Sequence, residues 1–270
     1  MDGPALSMSQ LRDNDERTAF MLLLLFSIPV WLLILLWIVA SYGGALVMIG
    51  IIFLGVWFGD LFLAAYIKTN GVEVTEQQLP ELYAVIKNAA ERLGMSQRLP
   101  GVYIMQDNVW NAFAAKLAGR RYVVLLSGAV DSILLKGDIN QLAFVAGHEL
   151  GHHAAGHLDF LTRCAVLGGW LPWFYLWYRR RCELTCDRVG LYCSGSLQAS
   201  SLAMANMTVG AQLAGRVNLE EAEQQWNRHK GEFFVKYKIF YSQYPPNLWR
   251  LTALKKAAQE FGIADAPAPA

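Results

Sequence analysis

Charge is scarce in this chain of 270 residues: Asp, Glu, Lys and Arg together make up 17% of it, while 54% is hydrophobic. That balance is greasy for a soluble domain. The net charge is only +1, so nothing in the charge pattern points to nucleic acid. Cysteine is sparse as well. Cys164, Cys182, Cys186 and Cys193 form no paired C-x-x-C signature, which argues against a thiolate zinc module. There is no Gly-rich phosphate loop and no internal repeat. Histidine is rarest in distribution: of five, four fall within ten residues, in Gly147-His148-Glu149-Leu150-Gly151-His152-His153-Ala154-Ala155-Gly156-His157.

What is abundant is uninterrupted apolar sequence. Phe20 to Ala40 contains no charge, and after Ser41-Tyr42-Gly43-Gly44 a second run extends from Ala45 to Ile67, broken by Asp60 alone. Each is long enough to cross a bilayer. A cleaved signal peptide would need a shorter apolar core and a basic start. The first nineteen residues instead mix Arg12 and Arg17 with Asp2, Asp13, Asp15 and Glu16. The pair therefore reads as a retained helical hairpin. Its turn is uncharged and Lys68 follows its second helix, so positive charge favours both ends on the cytoplasmic side. Asp60, about two turns from that end, could pair with a buried group or simply reach the interface, and the second reading is preferred.

Within the histidine run, His148-Glu149-Leu150-Gly151-His152 is H-E-x-x-H. Four helical residues turn about 400°, so the two imidazoles stand one above the other and can share a zinc ion. Glu149 lies about 100° around and can act as general base on a water at that metal. The pattern is short enough to arise by chance, but its context supports it. An apolar run, Leu142 to Ala146, leads into it, and Asp138 and Gln141 have capping-box spacing at the start of that helix. On a continuous helix His153 and His157 lie about 140° and 180° from His148, which suits supporting or surface groups rather than ligands.

Catalytic zinc needs a third protein ligand. Leu158 and Ala155 exclude the H-E-x-x-H-x-x-G-x-x-H class. Downstream, Arg181-Cys182-Glu183-Leu184-Thr185-Cys186-Asp187-Arg188 places Glu183 and Asp187 on one helical face. Alone, they would read as solvated carboxylates balancing arginines. Beside an incomplete zinc site, Glu183 is the candidate ligand, and Asp187 the candidate acceptor for a ligand histidine's ring N–H. Cys186, close by on the same helix, could compete for metal, although a small packing role suits it better.

H-E-x-x-H followed by E-x-x-x-D resembles the gluzincins, and most nearly the HtpX-like membrane metallopeptidases, relatives of the CAAX prenyl proteases. Pro80-Glu81-Leu82, Asn111-Ala112-Phe113-Ala114 followed by the strand-like Tyr122 to Gly128, and Tyr244-Pro245-Pro246 with Arg250 are similar to that family's flanking segments. The resemblance runs from about residue 70 to about residue 255. It implies one zinc per chain and a substrate-binding edge strand at Asn111, Ala112, Phe113 and Ala114. It also implies catalytic contributions from Tyr244 and Arg250, with Tyr244 standing where the family has histidine. Polypeptides, namely misfolded or damaged membrane proteins, are the substrates it implies. A non-catalytic, zinc-stabilised membrane adaptor is the alternative, and a retained Glu149 argues against it.

The resulting expectation is an α+β, mainly helical protein embedded in the lipid bilayer: the cell inner membrane if bacterial, with its active site facing the cytoplasm. An N-terminal cytoplasmic segment (1–19) precedes the transmembrane hairpin (20–67). A gluzincin-like metalloprotease domain with a small sheet (68–262) follows, and then an Ala-Pro tail (263–270), read as disordered. Near 161–178 the domain carries an aromatic-rich apolar stretch between the two zinc motifs. His148 and Glu183 can meet only on one side of a membrane, and the stretch is too short for two crossings. It should therefore dip into the interface and return, or pack against the hairpin, Gly168-Gly169 and Pro172 allowing the bend. An ordinary buried helix of the soluble core is the remaining option.

Overall fold

A computed structural model describes residues 6–107, 111–134 and 138–263. Most of the tail expected to be disordered lies outside these. A short helix, α1 (Met8–Leu11), precedes α2 (Glu16–Ala40) and α3 (Gly44–Asn70). Both long helices are of a length and apolarity that can cross a membrane. Each extends the expected span by a turn at its polar end. Their aliphatic and aromatic side chains point outward, Leu33 at 65% and Phe62 at 79% exposure, a surface suited to lipid rather than water. Gly43, at φ +85°, makes the reversal between them, where an L side chain would be strained.

Four strands follow in the sheet order β1 (Val72–Glu73), β2 (Gly101–Met105), β4 (Arg120–Leu126), β3 (Ala112–Leu117). β4 runs parallel to β2 and antiparallel to β3, so β3 is a sheet edge. Helix α4 (Pro80–Arg92) starts with proline at its first turn and ends before Gly94 at φ +66°. Helix α5 (Ser127–Leu134) continues directly from β4.

The histidine helix α6 (Ile139–Ala154) is capped by Asp138, whose side chain accepts from Asn140 N and from Gln141 Nε2. It is the centre of the fold and is buried along most of its length. After the short α7 (Phe160–Ala165) and a 3-10 turn, Val166–Trp170, the chain enters α8 (Pro172–Ser194). Helices α6 and α8 pack at glycine contacts. A Cβ on Gly147 would lie 2.6 Å from Cys193 Cβ, and one on Gly190 2.7 Å from the Phe144 carbonyl oxygen. Neither distance is sterically allowed, so these glycines set the helix separation. The remainder is helical: α9 (Leu197–Val209), α10 (Ala211–Ala214), α11 (Leu219–His229), α12 (Phe233–Phe240) and α13 (Asn247–Phe261). Asn218 caps α11, its side chain accepting from Glu220 N and Glu221 N.

Two expectations are refined. The aromatic stretch before the arginines forms no separate insertion: from Pro172 onward it is the first half of the helix that carries Glu183. It lies along the hairpin, with Trp170 Nε1 donating to the Phe26 carbonyl at 2.8 Å and Phe174 stacked on Phe26 at 4.6 Å. Asp60 does not simply reach the interface. It accepts a hydrogen bond from Ala118 N at 3.0 Å, with Arg163 3.9 Å away, because the β3–β4 turn rests against α3.

The 3-10 turn meets α2 backbone to backbone, since a Cβ on Gly168 would fall 2.0 Å from the Leu23 carbonyl oxygen. Gly168→Ala is expected to destabilise the protein by about 1–3 kcal/mol, the usual range for overpacking. Gly169→Ala, whose Cβ would meet Tyr175 at an ordinary 3.4 Å, should be close to neutral. Thermal unfolding of both variants in detergent tests this, and equal midpoints would contradict the packing described.

Candidate metal centre and cleft

His148 and His152, one turn apart on α6, turn their Nε2 atoms toward Glu183 of α8. The separations are 3.4 Å from His148 to Oε2 and 3.9 Å from His152 to Oε1. In a tetrahedral zinc site with bonds of about 2.0–2.1 Å, neighbouring donor atoms lie about 3.3–3.4 Å apart. The first distance matches such an edge and the second is slightly long. All three side chains are buried.

Each histidine is held from behind. His148 Nδ1 lies 3.0 Å from Asp187 Oδ1, so a proton on Nδ1 leaves the Nε2 lone pair facing Glu183. Asp187 is gripped by Arg250 through Nε to Oδ2 at 2.7 Å and Nη2 to Oδ1 at 2.6 Å, and Arg250 Nη1 reaches Met207 Sδ. His152 Nδ1 lies 3.1 Å from His157 Nδ1. The other nitrogen of His157 is 3.3 Å from Glu16 Oε1, within ion-pair distance but off the line of a hydrogen bond. Glu16 also takes hydrogen bonds from Arg12 and Thr185. The segment before the hairpin thus reaches the back of the site.

The electrostatics favour a cation here. Burial would lower the pKa of His148, but hydrogen bonds to Asp187 and Glu183 overcome it and push the value up to about 10. Burial would raise Glu183, yet the hydrogen bond from His148 and the charges of both histidines hold it well below the usual carboxylate range. The donor atoms of His148, His152 and Glu183 converge on one point. Two imidazoles and a carboxylate anion around that point fit a divalent ion. Cys186 is the rival donor, since its sulfur and one nitrogen each of His148 and His152 lie within 4.8 Å of one another. Burial and the neighbouring Glu183 push its thiol well above the usual range. That shift disfavours the thiolate, the form that ligates a metal, and so favours Glu183 as the third donor.

The site opens on a cleft of about 520 Å³. Edge strand β3, with Ala112, Phe113 and Ala114, and the preceding Asn111 line it, as does Tyr244, 49% exposed. Glu149 faces this cleft and accepts a backbone hydrogen bond from Ala114. Burial pushes its pKa up to about 7, with the Glu183 charge adding to the rise and His148 opposing it. That value suits proton exchange at neutral pH.

The structure brings His148, Glu149, His152, Glu183 and Asp187 together and sets β3 and Tyr244 at the rim. Arg250, expected among the catalytic groups, lines the cleft, and its guanidinium bonds Asp187 and Met207 Sδ. His157, expected as a supporting or surface group rather than a ligand, lies behind His152. The helix stops in a Schellman turn at Gly156 (φ +79°), with His157 N donating to the His152 carbonyl at 3.0 Å. The turn folds His157 back beside His152 instead of half a turn away from His148. His153 bonds the Tyr122 carbonyl at 2.9 Å and belongs to the sheet contact. Glu16 had no sequence signal, since it lies in a charged segment far from the motif.

Residues 76–169 match the model of peptidase family M48. That stretch includes β3 and the histidine helix but ends before Glu183. The chain is similar to proteins named Protease HtpX homolog. The match to that of Campylobacter curvus is 32% identical over 127 residues, 46% of this chain and 41% of the relative. That of Thermodesulfovibrio yellowstonii is 33% identical over 129 residues, 46% and 42%. That of Thermococcus kodakarensis is 28% identical over 127 residues, 47% and 41%. The match thus spans about two fifths of the length of these relatives. No solved structure matches. With its histidine helix, its edge strand and its two apolar N-terminal helices, the chain resembles the HtpX-like metallopeptidases of family M48.

Proposed function

We propose that this protein is a membrane-anchored, zinc-dependent endopeptidase whose active site faces the cytoplasm. The observation that carries this reading is the convergence of His148 and His152 Nε2 on Glu183, at 3.4 and 3.9 Å, with Glu149 beside an open sheet edge. His148, His152 and Glu183 would hold one zinc ion. When bound, zinc supplies a Lewis acid that polarises a carbonyl and acidifies water. Asp187, fixed by Arg250, keeps the His148 ring turned toward the site, and His157 does the same for His152.

An extended polypeptide pairs its backbone with β3, an interaction indifferent to most side chains. This lays a peptide bond across the cleft next to Glu149. Glu149 takes the proton of the attacking water and passes it to the departing amine. The Tyr244 hydroxyl, which lines the same cleft, donates a hydrogen bond to the carbonyl oxygen as charge develops there. Tolerance of sequence and a site close to the membrane suit misfolded or damaged membrane proteins as substrates.

Glu149→Gln is expected to keep zinc and fold while cutting casein cleavage by about 10²–10⁴-fold, because the amide cannot accept the proton. Cleavage at the wild-type rate would remove Glu149 from the mechanism.

The ligand set is tested by metal analysis of purified variants. Glu183→Gln should lose stoichiometric zinc and activity together, Cys186→Ser should retain both, and Asp187→Asn should weaken zinc affinity by roughly 10–100-fold. Full zinc in Glu183→Gln with loss in Cys186→Ser would transfer the third position to the thiol.

A further inference from the structure

A second cleft, of about 640 Å³, lies at the sheet beside the end of α3. Lys68, Arg98, Lys116, Arg120 and Arg121 line it, against one acid, Glu73. Lys116 is paired with Asp159 at 2.6 Å, and Glu73 is hydrogen-bonded to Tyr103. Lys68, Arg98 and Arg120 have no ion pair within 4 Å among the described residues, while Arg121, in register with Lys116, acts electrostatically on the same Asp159. Five cations against one acid around one concavity repel one another, and a bound anion would relieve that repulsion.

The depth of the cleft identifies the anion. Helix α3 has 27 residues and is about 40 Å long, about 10 Å more than the hydrocarbon core of a bilayer. Its last two turns therefore stand in the headgroup layer. Ala64 and Ile67 are buried there against Tyr103, Leu117, Tyr122 and Val124. The hydrogen bond from Ala118 N to Asp60, one turn before these, anchors the β3–β4 turn to the same helix. Arg120 and Arg121 follow that turn directly, and Lys68 lies 6.0 Å over the Tyr122 ring. Two tyrosines, 6.2 Å apart, line the cleft, and tyrosine suits this layer. Guanidinium forks match phosphate oxygens.

We infer that this cleft binds the phosphate of an anionic phospholipid headgroup and seats the β3–β4 hairpin, whose first strand walls the other cleft, on the membrane surface. The inference does not depend on the protease reading. Native mass spectrometry of the detergent-purified full chain, titrated with phosphatidylglycerol or phosphatidylcholine, tests it. Wild type should retain one phosphatidylglycerol in preference to phosphatidylcholine. Each surface cation contributes about fivefold, so Arg98→Gln, Arg120→Gln and Arg121→Gln combined should weaken that retention by about a hundredfold. Lysine at the same three positions should preserve most of it. Unaltered retention in the glutamine variant overturns the inference. So does an equal loss in a control carrying Arg216→Gln, Lys230→Gln and Lys236→Gln. Circular dichroism checks the fold, and Arg121→Glu alone, which should also lose the lipid, replaces the triple variant if that fails to fold. Displacement of the lipid by equimolar inorganic phosphate would assign the cleft to free phosphate and overturn the lipid assignment.

Discussion

Helices α6 and α8 meet where Gly147, Gly151 and Gly190 leave no room for a side chain, and the candidate centre depends on that approach. Cβ atoms at these positions would fall 2.6, 3.2 and 2.7 Å from their nearest neighbours on the facing helix. With the helices this near, carboxylates on α8 reach imidazoles on α6 directly. Any larger residue at the contact would widen the separation and pull Glu183 and Asp187 away from His148 together. The centre is thus a property of a helix pair rather than of one motif.

Burying that much charge demands compensation. Two flanking networks supply it. On one side Asp187 and Arg250 form a buried, two-bond pair behind His148. On the other, Glu16 collects Arg12, Thr185 and His157 behind His152. An isolated buried carboxylate would cost several kcal/mol, and pairing with full hydrogen bonding offsets it. These networks also decide which nitrogen of each ring is presented forward, so stability and site geometry have the same source.

The membrane elements are built into this arrangement. Glu16 is the first residue of α2, so the helix that enters the bilayer begins at the back of the metal site. Arg181 and Arg188 of α8 bind the same N-terminal segment through Asp13, Asp15, Leu11 and Gln10. The first half of α8 lies along α2, with Phe20 packed on Tyr178 at 5.5 Å. The other cleft, at the end of α3, continues the pattern: both apolar helices end against elements that wall a site.

Local periodicity and end signals were sufficient for much of this protein. Two long apolar runs, a four-residue spacing of histidines, proline at the start of α4 and the caps Asp138 and Asn218 depend on near neighbours alone, so the sequence by itself determined the helices they define and the shared face of His148 and His152. Tertiary structure decided what joins them. Glu183 and Cys186 both sit near the centre on α8, and only the helix separation and the burial of the thiol distinguish them. His157 moved because a glycine in the left-handed conformation ended the helix one turn earlier than a continuous pattern implies. Asp60 found Ala118, Glu16 found His157 and Arg250 found Asp187, pairs separated by 58, 141 and 63 residues. Contacts at such separations carry no periodic trace in the sequence, because they arise from the packing of elements rather than from the conformation of any one of them.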